Sequence, residues 1–473
     1  MVQRLARTAF PGFGAGGRCP VTAIIWFLAG WLLLLQVYTS LFPAQPRLKV
    51  EQGELWSRAS TIRRDLEEQV DEDRFSEIKR LRDEVVPVAL SPKQKSAAQQ
   101  AANKAKLAFY FPDKTIAINP VTADEEDRQV FYPAREWLDT DGKSIQAHGG
   151  GILYVKETGI YYWYGENKDG RTYRPSKRST ARVDVIGISC YSSRDLWAWK
   201  NEGLVLKGDK INKSSDLHVS NVVERPKVIY NEKTKQYVMW MHVDNVNYSK
   251  ASVGIAVSTK PTGPFTYLRS MRPHKQDSRD MTLFKDDNGL AYLLYSSKEN
   301  SELHIGVLSP DYLDLRRGMR RILIGQHREA PAVFKHKGIY YMITSGCTGW
   351  MPNSAQVHAA KSMLGPWESI GDPCVGGPPE FRSTTFVSQA TFVLPLPGLP
   401  DTFLFMADRW RPTDLRDSRY VWLPLTMDGP VDEPMDEEFD FPIWQRVSVY
   451  WYRRWKLPAG WNDVRAVALS KSD

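Results

Sequence analysis

Five polar residues stand at equivalent places along this sequence: His148, Glu224, Asp280, Glu329 and Gln389. Each comes just ahead of an apolar strand, which turns at a polar or Gly/Pro stretch into a second, aromatic-rich strand. The five stretches are "AHGGGILYVKETGIYYWYGE", "ERPKVIYNEKTKQYVMWMHVD", "DMTLFKDDNGLAYLLYSS", "HREAPAVFKHKGIYYMITSG" and "SQATFVLPLPGLPDTFLFMADRW". One polar residue ahead of a hairpin is ordinarily a solvated loop charge. Five in register, three of them carboxylic acids, point instead to convergence on one spot. Carboxylates gathered closely are costly to ionise together, so their pKa values are driven apart, which suits acid–base chemistry.

The elements that must position these residues follow from the repeat. After each hairpin comes a milder strand pair: "IGISCYSSRDLWAWKNEG", "SVGIAVSTKPTGPFTYL", "LHIGVLSPDYLDLRR", "VHAAKSMLGPWESIG" and "YVWLPLTMDGPVDEPM". Four strands per unit and five units describe an all-β, five-bladed β-propeller. No long amphipathic helix interrupts the repeats, which argues against a parallel α/β sheet, and a β-sandwich would not explain the periodicity. In a propeller the innermost strand of each blade lines the central axis, so the five polar residues meet at one end of the channel.

The chain has 473 residues, 16 of them Trp, and a net charge of +8. Such aromatic content is common where flat sugar rings are bound, although aromatics also fill ordinary cores. Lys and Arg are interspersed with acids, and no basic run with interleaved aromatics suggests a nucleic-acid groove. The four cysteines, Cys19, Cys190, Cys347 and Cys374, form no CxxC pair that would imply zinc or a redox dithiol. A Cys347–Cys374 bridge is allowed in an oxidising compartment, with Cys190 left free.

The N-terminus carries the topology signal. Arg4, Arg7 and Arg18 precede an apolar run, Val21 to Phe42, with no clean small-residue cleavage site after it. About 20 apolar residues span a bilayer, against roughly 7–15 in the core of a secretory signal. The expectation is a cytosolic tail over 1–20, a transmembrane signal-anchor over 21–42 and everything beyond it in the lumen; a cleaved signal is the alternative. Residues 43–107 read as a charged helical stalk, with Leu66, Val70, Ile78, Leu81 and Val85 at roughly helical spacing. A coiled-coil dimer seam is the sharper reading of the same spacing. The propeller is then expected over 108–473. Two sequons, Asn212-Lys213-Ser214 and Asn247-Tyr248-Ser249, fit a luminal face.

The motifs "AHGGGILY", "ERPKVIYN", "REAPAVFK", "SQATFVLP" and "DRWRPTDLRDSRYVWLPL" resemble glycoside hydrolase family 43 over about residues 130 to 445. They are most similar to its exo-β-1,3-galactanase branch, which includes plant Golgi galactosidases acting on arabinogalactan. The resemblance implies an inverting, exo-acting hydrolase releasing terminal galactose from β-1,3-galactan, single-pass type II in the Golgi membrane with a luminal catalytic domain. It implies glycans and the membrane as partners, no nucleic acid and no cofactor, and nothing in the sequence demands a metal. Other readings are a glycan-binding pseudoenzyme of the same fold, or an arabinofuranosidase or β-xylosidase.

The resemblance also suggests roles. Glu329 matches the general acid, and its apolar neighbours Ala330, Pro331 and Val333 would favour protonation. Asp280 matches the residue that orients and tunes that acid, and Glu224 an acidic residue of the first subsite. Where most of the family has an Asp in blade one, this chain has His148; the galactanase branch shares that loss and has a glutamine in the fifth blade, matched by Gln389. Gln389 as a base would act as an imidic-acid tautomer, or it only holds the water; His148 is the other candidate, with a ligand or structural role equally open. Glu166, Tyr248, Asn300, Thr348 and Trp350 fall near positions that contact galactose in the resembling enzymes, Trp350 as a stacking platform. A glycan on Asn247 would crowd Tyr248, so that sequon is expected to be unused.

Overall fold

The structure is a computed structural model that describes residues 117–174, 180–430 and 444–462. The tail, signal-anchor and stalk expected over 1–107 lie outside the described residues. Among the described residues no helix is long and apolar enough to cross a membrane.

A two-residue strand, β1 (Val130–Phe131), precedes the blades. The first blade is β2 (His148–Val155), β3 (Ile160–Glu166), β4 (Gly187–Ser193) and β5 (Lys200–Lys207). The second is β6 (Val222–Asn231), β7 (Gln236–Asp244), β8 (Ser252–Ser258) and β9 (Thr266–Met271). The third is β10 (Met281–Lys285), β11 (Ala291–Ser297), β12 (Glu302–Leu308) and β13 (Leu315–Ile322). The fourth is β14 (Arg328–His336), β15 (Ile339–Gly346), β16 (Gln356–Ala360) and β17 (Glu368–Gly371). A short β18 (Cys374–Val375) leads to the fifth, β19 (Gln389–Pro395), β20 (Thr402–Arg409), β21 (Arg419–Pro430) and β22 (Gln445–Tyr450). Each blade pairs antiparallel in chain order, and β18 adds in parallel beside β22. The five-bladed propeller expected from the repeat is the fold observed.

Local chemistry explains the hairpins. Between β14 and β15 only Lys337 and Gly338 turn the chain, both at positive φ (46° and 81°), the geometry whose twist suits a two-residue hairpin. The second strand of each blade lies in mid-sheet between neighbouring blades, so both faces are covered and it reads as a continuous apolar run; β7 is buried from Val238 to Asp244. Outer strands such as β13 are largely exposed. One boundary differs from the sequence reading. The "MDGP" stretch that looks like a turn continues β21, whose pairing with β22 shifts register between Asp428 and Pro430; the fourth strand comes only at residue 445.

Apolar layers fill the gaps between blades. Met239, Met241 and Val243 face Tyr164 and Cys190 across blades one and two. Trp240 and Ile255 meet Leu293 and Tyr295 across two and three. Leu294 and Ile305 meet Met342, and Ile343 and Phe334 meet Phe405 and Leu423. The ring closes between blades five and one by an aromatic seam: Trp163 lies 4.6 Å from Tyr420 and 4.7 Å from Trp422. Trp137 joins it at 4.9 Å from Trp422. Outside it, β1 pairs with β23 (Trp455–Lys456), and Phe131 stacks on Trp455 at 4.3 Å. Most of the tryptophans that suggested sugar binding therefore serve the core; Trp163, Trp199 and Trp240 are fully buried. The Cys347–Cys374 bridge does not form: both are free thiols, Cys374 in the core beneath the fifth blade and Cys347 exposed.

Candidate active site

The inner strands place the five polar residues by a shared device. In blades one, two and four, register shifts directly after the polar residue, at His148/Gly151, Glu224/Lys227 and Glu329/Ala332. The next residue in each case has positive φ: Gly149 at 62°, Arg225 at 54° and Ala330 at 51°. Such a bulge bends the strand and re-aims the side chain before it. Arg225 and Ala330 carry this conformation without being glycine, a strain expected where a site depends on it. Blade five shifts one residue later, at Ala390/Phe392, and blade three pairs regularly from Met281. The glycines of "AHGGG" permit close approach: a Cβ on Gly149 would sit 2.3 Å from Glu166 Oε1, and one on Gly150 would sit 1.7 Å from the Tyr164 carbonyl.

Arg225 is the hub on which the site converges. Its backbone N–H donates to Glu166 Oε1 at 3.0 Å, and its guanidinium donates to Asp280 Oδ2 at 2.8 Å, Gln389 Oε1 at 2.6 Å and the Ala390 carbonyl at 3.2 Å. One residue of blade two thus ties blades one, three and five, the first through its backbone and the others through its side chain. Despite burial, the surrounding carboxylates Asp280 and Glu166 raise its pKa, so the charge is fixed.

Glu329 is 8 % exposed. Gln389 Nε2 donates to its Oε1 at 3.2 Å, and Asn300 Nδ2 donates to its Oε2 at 3.3 Å. Burial, then the negative charge of Asp280, pushes its carboxyl up to about 8, against the opposing pull of Arg225, Cys347 and Gln389. At neutral pH it holds a proton. Glu224 is its opposite. Burial alone would raise it, but His242, Lys168 and the Tyr248 hydroxyl bring it down to about 2, with His242 Nδ1 at 3.2 Å and Tyr248 Oη at 2.9 Å. The axis therefore presents a protonated Glu329 together with an ionised Glu224, the pairing that acid-catalysed displacement needs.

Of the remaining candidates, Glu166 is buried, its pKa raised by burial against an ion pair with Lys168 at 2.6 Å. Asn300 Oδ1 is buried without a partner and is a free acceptor. Tyr248 turns inward to Glu224, while Asn247 beside it is exposed. Trp350 lines a cleft with Ser345, Met351, Gln389 and Trp410; its ring lies edge-on to Trp410 at 4.9 Å and its N–H donates to the Ala181 carbonyl at 2.9 Å. Thr348 is on the exposed rim, where its hydroxyl accepts from Asn353 Nδ2 at 2.7 Å. His148 is not brought to the cleft. It is fully buried, with Nδ1 3.0 Å from Asp408 and its ring stacked on Tyr420 at 4.8 Å, a structural setting beneath the glycines.

Sequence reasoning missed Arg225, Lys168, His242, Ser345 and Trp410. Arg225 and Trp410 lay inside quoted motifs, but only the folded arrangement shows what they touch. Among the described residues, Glu224, His242 and Asp280 bring ligand atoms within 4.8 Å of one another. They already engage one another and Asp244: His242 Nδ1 lies 3.2 Å from Glu224 and its Nε2 2.9 Å from Asp244, and although burial opposes it, Asp244 and Glu224 raise its pKa to about 9. A charged imidazolium has no lone pair for a metal.

The family model for glycosyl hydrolases family 43 matches residues 148–375. A family 43 β-1,3-galactosidase solved with galactodeoxynojirimycin is 39% identical, with a TM-score of 0.59, covering 69% of this chain and 100% of its own. The exo-β-1,3-galactanase of Phanerochaete chrysosporium, solved with galactose, is 38% identical with a TM-score of 0.55, covering 62% of this chain and 64% of its own. An exo-β-1,3-galactanase from Clostridium thermocellum is 35% identical with a TM-score of 0.58, covering 71% of this chain and 68% of its own. No curated protein matches the chain.

Proposed function

Because this chain belongs to the glycosyl hydrolases of family 43, we propose that it releases terminal galactose from β-1,3-galactan chains by single-step, inverting hydrolysis. The observation that carries this reading is Glu329, buried at the axis and protonated at neutral pH, beside an ionised Glu224. Glu329 gives its proton to the glycosidic oxygen as the bond to the sugar breaks. Asp280 keeps that proton in place by its charge, and Arg225 holds the Asp280 carboxylate at 2.8 Å. Glu224, Glu166, Tyr248 and the free Asn300 Oδ1 offer acceptors for galactose hydroxyls, with Trp350 as an apolar wall. Water attacks the anomeric carbon from the opposite ring face as that bond breaks, its surplus proton returns to solvent, from which Glu329 is reprotonated, and inversion follows.

Turnover requires the protonated form of Glu329, so it is present below about 8 and lost as pH rises through that value. The full chain, incubated with β-1,3-galactobiose and with aryl glycosides of galactose, arabinose and xylose, should release galactose and show an alkaline limb near that pH. Release of arabinose or xylose in preference would move the chain to another branch, and tight binding without turnover would make it a glycan-binding module.

We also propose that 21–42 is a signal-anchor, 43–107 a stalk, and the propeller a luminal Golgi domain; the apolar run, its basic flank and the two sequons support this. The expected result is resistance to carbonate extraction with the propeller protease-protected in intact vesicles. Recovery of a soluble form starting near residue 45 would show a cleaved signal instead.

A further inference from the structure

Two strand bulges aim groups into the site, and one buried ammonium lies between them. In β2, Gly149 and Gly150 oppose Gly165 alone; in β6, Arg225 and Pro226 oppose Met241 alone. Residues in a bulge fall outside the regular ladder, and buried carbonyls there need another donor. Lys227 supplies it. Its Nζ donates to the Gly149 carbonyl at 2.9 Å and to the Arg225 carbonyl at 3.4 Å. These are the two residues with φ of 62° and 54°. Lys227 is buried, and its stem passes so close to Gly151 that a Cβ there would sit 3.0 Å from Lys227 Cδ.

Burying an ammonium group is costly. An apolar side chain of similar length would fill the same space without that cost, so what the position gains from lysine is its N–H groups. Facing the ammonium are Arg225 of its own strand, Glu166 of β3, Asp280 just ahead of β10 and Asp408 of β20. Burial first, then Arg225, brings its pKa down to about 7 against the pull of the three carboxylates. With or without its third proton the group keeps a donor for each carbonyl, so the contact survives either state. Glu166 adds a second tie between the same two bulges: its Oε1 accepts from the Arg225 backbone N–H at 3.0 Å and packs against Gly149. What these contacts hold still is Glu224, next to Arg225 in the chain, and the Arg225 guanidinium, which reaches Asp280 at 2.8 Å. We propose that Lys227 is a positioning residue whose ammonium pins the bulges of β2 and β6 to each other, and thereby holds Glu224 and Arg225 in the site. The proposal rests on Glu329 being the general acid.

Lys227→Met in the full chain keeps a long apolar stem and removes the donors. On β-1,3-galactobiose, kcat per folded molecule should fall at least about tenfold. The alkaline limb should also move upward by about half a unit or more, because a loosened Arg225 favours the ionised Glu329 less and offsets Asp280 less. A change in packing alone lowers the folded fraction and leaves that limb where it was. Parent-like kcat per folded molecule, or a lower kcat with the limb unmoved, would therefore overturn the proposal. If Lys227→Met does not fold, a crystal structure of the parent chain with galactose decides. Nζ within hydrogen-bond distance of both the Gly149 and Arg225 carbonyls supports the clamp, and Nζ turned to Glu166 or Asp280 instead overturns it. A parent chain that releases no galactose is a different failure, that of the functional reading.

Discussion

Glu329→Gln is expected to lower kcat on β-1,3-galactobiose by about 10²–10⁴-fold, the usual contribution of a positioned general acid. The substitution keeps the shape of the side chain and removes only the transferable proton. Because burial and Asp280 already keep Glu329 neutral below about 8, a neutral amide in its place should leave the thermal midpoint near that of the parent at pH 6. The loss should shrink on galactosyl fluoride or an aryl galactoside with an acidic phenol, whose leaving groups depart with little protonation. Equal loss on both substrate types would mean that Glu329 binds or folds and does not donate a proton.

Gln389→Ala should nearly abolish turnover while leaving β-1,3-galactobiose binding within about 1 kcal/mol, or some fivefold, of the parent. The truncation strips Glu329 of an N–H partner and leaves Arg225 and Trp410 donating into an empty space. Each buried donor so orphaned costs about 1–3 kcal/mol, so a lower thermal midpoint should accompany the kinetic loss. His148→Ala serves as the contrast. His148 is buried on Asp408 and Tyr420 away from the cleft, so its loss should fall on stability, with the folded fraction keeping its alkaline limb. Full activity in Gln389→Ala, with activity lost instead in His148→Ala, would shift the catalytic role from the fifth blade to the first and contradict this expectation.

Much of the architecture was legible because it is written in local patterns. The alternation of apolar strand, turn and aromatic strand repeats five times, and repetition is a stronger signal than any single strand. "MDGP" at the end of β21 misled because a bulge and a turn use the same residues. The axial residues were legible through their shared position at the start of each inner strand, within the first residues of β2, β6, β14 and β19 and just before β10. What was not legible is what crosses between blades. Arg225 is one residue after Glu224, yet its meaning lies in Asp280, Gln389 and Glu166, each from a different blade. The same holds for Trp410, which reads as a core aromatic until its N–H is seen on Gln389. His148 shared the axial register but is sunk by the close packing of Gly149 to Gly151, and only the packed sheet reveals that depth.

The central claim is that this propeller carries out an inverting exo-hydrolysis of β-1,3-galactan from one axial site. Proton NMR of the first sugar released from β-1,3-galactobiose tests it most directly, read before mutarotation mixes the anomers. Protonation of the leaving oxygen by Glu329 on one face, with water attacking the other, predicts α-galactose as the first-formed product. β-Galactose appearing first would require a covalent intermediate on a second carboxylate, and would contradict the account.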